Sequence, residues 1–105
     1  MYSFAPERRS KRRVRVNFPV LISGTTVPEA RGITRDASQT GVFFYTQLPL
    51  KSGQVVEFKM LMPAADASST RAVCRGTIVR VETQSQASEF PCGVAVAITS
   101  LKLSE

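Results

Sequence analysis

The chain has 105 residues, of which 43% are hydrophobic, and its 14 basic and 8 acidic side chains give a formal net charge of +6. One cytoplasmic domain is expected, because no apolar run approaches the roughly 20 residues that cross a bilayer and the opening segment lacks the apolar stretch of a signal peptide. The absence of histidine removes the commonest general base and zinc ligand, so no enzyme, cofactor or metal site is expected.

The excess charge is confined to the start of the chain. The segment RRSKRRVR, residues 8–15, holds six basic residues, and the remaining eight are matched by the eight acidic ones. Like charges this close repel one another and little apolar surface anchors them, so a flexible basic arm is predicted over residues 1–12. Such an arm indicates an anionic partner.

After the arm the apolar residues alternate, which is typical of half-buried strands. The first predicted strand covers residues 14–22, with Val14 and Val16 facing inward and Arg15 outward. Five more predicted strands follow, separated by turns or polar loops, at residues 32–37, 42–46, 56–62, 71–82 and 92–98. Gly76, in the middle of the fifth strand, predicts a bulge or sharp bend.

Six short strands without a convincing helix predict an all-β fold, a small antiparallel barrel or sandwich. Residues 100–105 amount to barely a turn of helix, so little or no C-terminal helix is expected. The β-domain is assigned to residues 13–100 and a short tail to residues 101–105. Cys74 and Cys92 lie in strand-like segments and are expected to pack as small hydrophobic residues.

Two short motifs lie at particular points of this pattern. Residues 9–13 (RSKRR) have an RxxxR spacing where the arm enters the first strand, and residues 36–41 (DASQTG) form a DxSxxG turn between the second and third strands. Each also has an ordinary structural interpretation. The first can be a solvated basic tail. The second can be a plain turn in which Asp36 or Ser38 bonds its own backbone and Gly41 supplies a positive φ.

Together and in this order, the two motifs resemble the PilZ domain, a family of six-stranded β-barrels that bind the bacterial second messenger cyclic di-GMP. The resemblance covers almost the whole chain, including the segments RVRVNFPVLIS, GITRDASQTGVFF and GVAV. It implies that the dinucleotide is bound by the five residues that match the motifs, Arg9, Arg13, Asp36, Ser38 and Gly41. Two departures are the very short C-terminus, where many members end in a helix, and the lack of a partner domain, which leaves the output function open.

The chemistry of these residues suits the implied ligand. The planar fork of an arginine can hold guanine O6 and N7, or two phosphate oxygens. An ionised Asp36 only accepts hydrogen bonds and so suits the N1 and N2 donors of guanine, while Ser38 can donate to a phosphate or a ring edge. Gly41 allows a tight turn that a ligand can approach closely.

Arg8 directly precedes the RxxxR motif. In PilZ domains an arginine at this place tends to accompany the binding of a stacked pair of ligands, so the resemblance implies two molecules of cyclic di-GMP per chain. The alternative is that Arg8 is one more solvated charge. Lys11, Arg12 and Arg15 are interpreted as a background field that raises the local ligand concentration.

The arginines outside the arm are predicted to be surface residues rather than ligands, and they are Arg31, Arg35, Arg71, Arg75 and Arg80. The substitution Arg35→Ala is accordingly expected to have little effect on binding. Phe43, Phe44 and Tyr45 are adjacent and so point to alternate faces of a strand, with at least one of them in the core and another free to line the site.

Ligand binding is predicted to order the arm over the barrel, and a downstream protein partner, which the sequence does not identify, would read this change. Two other functions stay open. A small barrel with a basic arm could bind nucleic acid, but its basicity is confined to the arm and it lacks an interleaved aromatic platform. A PilZ-like adaptor without nucleotide binding is the other alternative, but such proteins typically lack both motifs. Membrane insertion is not expected.

Overall fold

The structure is a computed structural model, and it describes residues 13–23, 29–63, 69–84 and 89–104. Within these ranges the segments of alternating hydrophobicity form strands. Along these residues the strands are β1 (Val14–Arg15), β2 (Pro19–Ser23), β3 (Ala30–Ala37), β4 (Gly41–Thr46), β5 (Val55–Pro63), β6 (Ser69–Thr83) and β7 (Cys92–Ser104). The same residues contain no helix, and therefore none that could cross a membrane. The predicted arm, residues 1–12, lies outside the described residues.

Six of the strands close into an antiparallel barrel. β2 pairs with β3 on one side and with β5 on the other. The sheet continues from β5 through β6, β7 and β4 and returns to β3. This closure confirms the predicted all-β fold and shows that it is a six-stranded barrel rather than a sandwich. Each barrel strand thus has a paired neighbour on both sides over part of its length, whereas residues 100–104 of β7, beyond the pairing with β4, pair with β6.

The first predicted strand is divided in two. β2 pairs with the beginning of β3, whereas β1 pairs with its end, where Val14 lies opposite Ala37 and Arg15 opposite Asp36. The predicted inward orientation of Val14 is wrong, because β1 is an addition outside the closed barrel and Val14 is 58% exposed. Arg15 is exposed, as predicted.

The last strand is longer than its sequence pattern predicts. β7 continues past residue 98 because its second half pairs with the first half of β6, where Arg71 lies opposite Ser104. Residues 100–104 therefore continue the strand, although the sequence predicts barely a turn of helix there. The pairing of β6 with β7 is irregular at Gly76, which confirms the predicted bulge.

Apolar side chains from the barrel strands fill the interior. Phe44 and Phe58 are fully buried and their ring centroids lie 5.3 Å apart. Further buried residues around them include Ile22, Val42, Val56, Ile78, Val94 and Val96. Cys74 is buried in this cluster and Cys92 packs against it, both as free thiols. Burial raises the pKa of the Cys74 thiol to about 11, so it stays protonated at neutral pH and behaves as a small hydrophobic residue, as predicted.

Candidate functional site

A bulge in β3 brings two neighbouring charged residues to the same face of the barrel. The register between β3 and β4 shifts between Thr34 and Asp36, and Asp36 lies opposite Phe43. In a regular strand Arg35 and Asp36 would point to opposite faces. The extra residue of the bulge re-aims them, and Arg35 Nε donates to Asp36 Oδ2 at 2.6 Å.

Arg13 reaches the same carboxylate from the other side. β1 runs alongside the end of β3, and this pairing carries the residue before β1 to the outer surface next to Asp36. Arg13 Nε donates to Asp36 Oδ1 at 2.5 Å, across 23 residues of sequence. The two sequence motifs thus meet in space through a charge-assisted hydrogen bond.

Two guanidinium groups hold Asp36 in its ionised form. Its side chain is only 11% exposed, and this burial by itself raises the pKa. The hydrogen bonds from Arg35 and Arg13, together with their positive charges, outweigh burial and keep the pKa of Asp36 below its ordinary value of 3.8. The hydrogen bond to Asp36 in turn raises the pKa of Arg35. At neutral pH the site therefore carries one carboxylate between two cations.

This arrangement predicts a stability contribution that disappears in acid. Because the folded-state pKa of Asp36 lies below 3.8, the ion pairs stabilise the fold above about pH 4 and are lost as the pH falls through the folded-state pKa. We expect the wild type to exceed the Asp36→Asn variant in unfolding free energy by roughly 1 kcal/mol at pH 7. Urea unfolding of both proteins from pH 7 to pH 2.5 measures this difference. A gap that stays constant into acid would show that ionised Asp36 does not stabilise the fold.

The turn between β3 and β4 is fixed by hydrogen bonds of its own. Ser38 N donates to Gly41 O at 2.8 Å, and Ile98 N of β7 donates to Thr40 O at 2.9 Å. The hydroxyl of Ser38 donates to Gly41 O and accepts from Thr40 N, each at 3.4 Å. In this structure Ser38 therefore supports the turn, whereas Asp36 bonds arginine side chains instead of its own backbone.

Gly41 is required by a close approach and not by its backbone dihedral. Among the described glycines a positive φ occurs at Gly53, at 96°, so the suggested positive φ at Gly41 is wrong. A Cβ at Gly41 would lie 3.0 Å from Val96 O, 3.8 Å from Arg13 Nη1 and 4.0 Å from Ser38 Oγ. The tight contact is the one with the backbone oxygen of Val96, whereas the guanidinium of Arg13 would lie at an ordinary van der Waals distance.

Phe43 forms an aromatic floor on the outer face of the barrel. Phe44 points into the core, as one of the adjacent aromatics was expected to do, and Phe43 therefore points outward. Phe43 is nevertheless fully buried, because Arg35 covers it with Cζ 3.8 Å from the ring centroid. Tyr45 packs edge-on against it at 5.3 Å. A Cβ at Gly93 would lie 2.8 Å from Phe43 Cζ, so this glycine provides the space for the ring.

Arg35 separates two depressions in the surface. The first, of about 390 Å³, lies between Arg13, Gly41 and the facing β6 and β7 residues Arg80 and Ala95. The second, of about 430 Å³, lies on the β1 side and is lined by Arg15, Val16, Asn17, Ile33, Thr34 and Tyr45. Arg35 lines both. The surface around the ion pairs is therefore concave and rich in guanidinium groups, which suits a planar or phosphate-bearing anion.

The model of the PilZ domain family matches residues 7–104, almost the whole chain. This chain belongs to the PilZ domain family. The family is one of cyclic di-GMP receptors, and its domains are binding or adaptor modules that are generally not enzymes.

A solved structure shows the same fold. This PilZ domain is similar to the Bacillus subtilis inhibitor of motility, MotI/DgrA, with a TM-score of 0.71 and 13% sequence identity. The alignment covers 86% of this chain and 42% of that one, so the PilZ domain spans less than half of the length of MotI/DgrA. No curated protein matches the chain.

The PilZ fold brings four of the six predicted site residues together, namely Arg13, Asp36, Ser38 and Gly41. Arg8 and Arg9 lie outside the described residues.

Sequence reasoning missed Arg35, which it placed among the surface arginines. In a regular strand Arg35 would lie on the face opposite to Asp36, and the bulge in β3 brings the two side chains to the same face. Arg80 was also missed, and it lies 5.8 Å from the Phe43 centroid, with its Nη2 3.2 Å from Glu82 Oε2.

Proposed function

We propose that this PilZ domain is a cytoplasmic cyclic di-GMP receptor module, with the ligand held between the RxxxR arm and the DxSxxG turn. The observation that carries the proposal is the contact of Arg13 with Asp36 at 2.5 Å, which joins the two motifs beside Gly41 on one concave face. A dinucleotide with two phosphates and two guanines offers what arginine-rich clefts bind, namely anionic oxygens and planar acceptor edges.

Arg13 is the proposed principal contact. Its bond to Asp36 uses the Nε donor, and the guanidinium carries four further donors on its two terminal nitrogens. The side chain is 44% exposed, so these nitrogens are within reach of a ligand in the cleft. Asp36 fixes the direction of the group, which lowers the entropy lost when the ligand binds.

Asp36 has two compatible roles in this proposal. Both of its oxygens accept from arginines, so it positions the guanidinium groups of Arg13 and Arg35. An ionised carboxylate has about four lone-pair sites, and two remain for the N1 and N2 donors of a guanine. We therefore propose that Asp36 selects guanine while it keeps its hydrogen bonds to Arg13 and Arg35.

Arg35 is proposed as a third arginine of the site, and Arg35→Ala is expected to weaken cyclic di-GMP binding about tenfold. The change uncovers the Phe43 ring and removes one of the two cations that hold Asp36. Calorimetric titration of the variant measures the loss. Arg31→Ala, an exposed arginine elsewhere on β3, is the matched control and should bind within about twofold of the wild type. Equal affinities for Arg35→Ala and the wild type would exclude Arg35 from the site.

The arm supplies the remainder of the proposed site. Arg9 is proposed to contact the same ligand as Arg13, and Arg8 to support a second, stacked molecule. Neutralisation of the six basic residues between Arg8 and Arg15 would let the arm fold over the barrel face. A protein partner, not identified by the chain, would then recognise the ordered arm. Protection of residues 5–13 from protease upon ligand addition tests this ordering.

Isothermal titration with cyclic di-GMP tests the proposed function, with GTP and a DNA oligonucleotide as parallel titrants. We expect saturable binding of cyclic di-GMP and none of comparable strength for the controls. A stoichiometry near two ligands per chain supports the stacked pair. A stoichiometry near one contradicts the stacked pair but leaves the proposed receptor function in place. Stronger binding of DNA would favour the nucleic-acid alternative, and no binding of either would favour an adaptor without nucleotide binding.

A further inference from the structure

A second cationic surface lies on the wall of the barrel formed by β2, β3, β5 and β6. Leu21 on β2 lies opposite Arg31 on one side and opposite Lys59 on the other. One row further along, Leu61 on β5 lies opposite Arg71 of β6. We call these five residues, together with Pro19, the cationic wall. It shares no residue with the site built on Arg13 and Asp36.

The three cations of this wall have no acidic partner within the part of the chain that the structure describes. Among the described residues, no ion pair includes Arg31, Lys59 or Arg71. The neighbouring acid on β5, Glu57, lies 3.8 Å from Arg75 and is engaged there. The wall therefore concentrates three positive charges on a chain that is formally neutral outside residues 8–15.

Between the cations the surface is apolar and concave. A depression of about 320 Å³ has an apolar lining of Pro19, Val20, Leu21 and Leu61, here called its apolar floor, and the three cations line it as well. Leu61 is 45% exposed, although it is paired with β6. Apolar groups accompanied by polar ones are typical of a protein-binding surface.

We propose that the cationic wall docks an acidic segment of a partner protein, with an apolar side chain of that segment seated on Leu21 and Leu61. Charge complementarity predicts that the partner segment is acidic, because the depression is lined by three cations that form no ion pair with any described residue. Leu21 and Lys59 lie where β2 and β5 are each paired on both sides, so the partner cannot add a strand there and is recognised through side chains.

Other anionic partners fit the wall less well. A nucleic-acid backbone would pair with the cations but would gain nothing from the apolar floor. A membrane surface takes up apolar groups that protrude from a protein, whereas these lie in a depression. The proposal is independent of cyclic di-GMP binding.

A short fluorescein-labelled peptide of alternating glutamate and leucine tests the proposal by fluorescence anisotropy. We expect saturable binding that weakens with salt, and at least a fivefold loss of affinity in Lys59→Glu. Lys51→Glu, the same change at an exposed lysine in the turn before β5, is the matched control and should bind within twofold of the wild type. Leu61→Ser should weaken binding as well, which separates the apolar contact from the charge.

Several outcomes would overturn the proposal. These are a peptide affinity unchanged in Lys59→Glu, equal binding of a peptide with glutamine in place of glutamate, or stronger Lys59-dependent binding of duplex DNA or anionic phospholipid vesicles. Arg71→Gln serves as a second variant if Lys59→Glu does not fold by circular dichroism. Cyclic di-GMP affinity should be unchanged in every folded variant, so a failure of this proposal is distinguishable from a failure of the proposed function.

Discussion

Replacing Arg13 with alanine is expected to weaken cyclic di-GMP binding by at least about 100-fold while leaving the barrel folded. The loss corresponds to roughly 2.7 kcal/mol, the size of one charge-assisted arginine contact together with the ordering that Asp36 supplies. The fold should persist because Arg13 precedes β1 and its side chain is 44% exposed. Calorimetry gives the affinity and thermal unfolding gives the stability.

Arg15→Ala is the matched control for this change. Arg15 is also exposed and lies two residues away; it lines the depression on the β1 side, but the ion pairs of Asp36 are with Arg13 and Arg35, and Arg15 is interpreted as background charge. Arg15→Ala should weaken cyclic di-GMP binding a few-fold at low salt and less at high salt, because salt screens long-range electrostatic attraction. Equal losses for the two variants would mean that the arm binds by charge alone and that Arg13 has no particular place in the site.

Asp36→Ala is expected to weaken cyclic di-GMP binding as strongly as Arg13→Ala, through a different cause. Removal of the carboxylate frees both Arg13 and Arg35, which then repel each other and lose their fixed directions. We expect at least a 100-fold loss of affinity. Asp36→Asn keeps one acceptor oxygen of the same shape and should retain more affinity than the alanine variant.

A double-mutant cycle separates positioning from direct contact. If Asp36 acts by holding Arg13 and Arg35, the double variant Arg13→Ala/Asp36→Ala should bind no worse than Asp36→Ala alone. Additive losses measured by calorimetry would instead show that Asp36 and Arg13 contact the ligand independently. Direct reading of guanine would then be the main role of Asp36.

The barrel could be predicted from the sequence because its strands obey local alternation. The alternation alone predicts that four of the residues on β2 and β5 face inward, and all four are buried in the core: Val20, Ile22, Val56 and Phe58. Val14 follows the same pattern yet is exposed, because β1 pairs with the end of β3, beyond the residues of β3 that pair with β2. Alternation identifies one face of a strand but not whether another element covers that face.

The residues of the candidate site that belong to a sequence motif could be predicted. Those whose position depends on the tertiary structure could not. Asp36 and Gly41 come directly from the DxSxxG spacing. Arg35 depends on a bulge, whose extra residue leaves no signal in the alternating pattern. The cationic wall was hidden for a related reason. Arg31, Lys59 and Arg71 are far apart in sequence, and only the strand register brings them around Leu21 and Leu61.

Phe43 links the rigid barrel to the chemistry of the site. The Phe43 ring occupies the space left by the missing side chain of Gly93 and packs edge-on against Tyr45. The guanidinium of Arg35 lies over the same ring. Arg35 in turn holds Asp36, which holds Arg13. The proposed ligand-binding groups are thus positioned through a short series of contacts that begins at the closed barrel.

The most direct test of the account is an NMR titration of the ¹⁵N-labelled protein with cyclic di-GMP. It follows the Nε–Hε signals of Arg13 and Arg35 and the backbone amide of Gly41, with the amides of Lys59 and Leu61 as references. The account predicts saturable shifts of the first three signals while the two references remain in place. Ligand binding that leaves the Arg13 and Arg35 signals unchanged, or no binding at all, would contradict it.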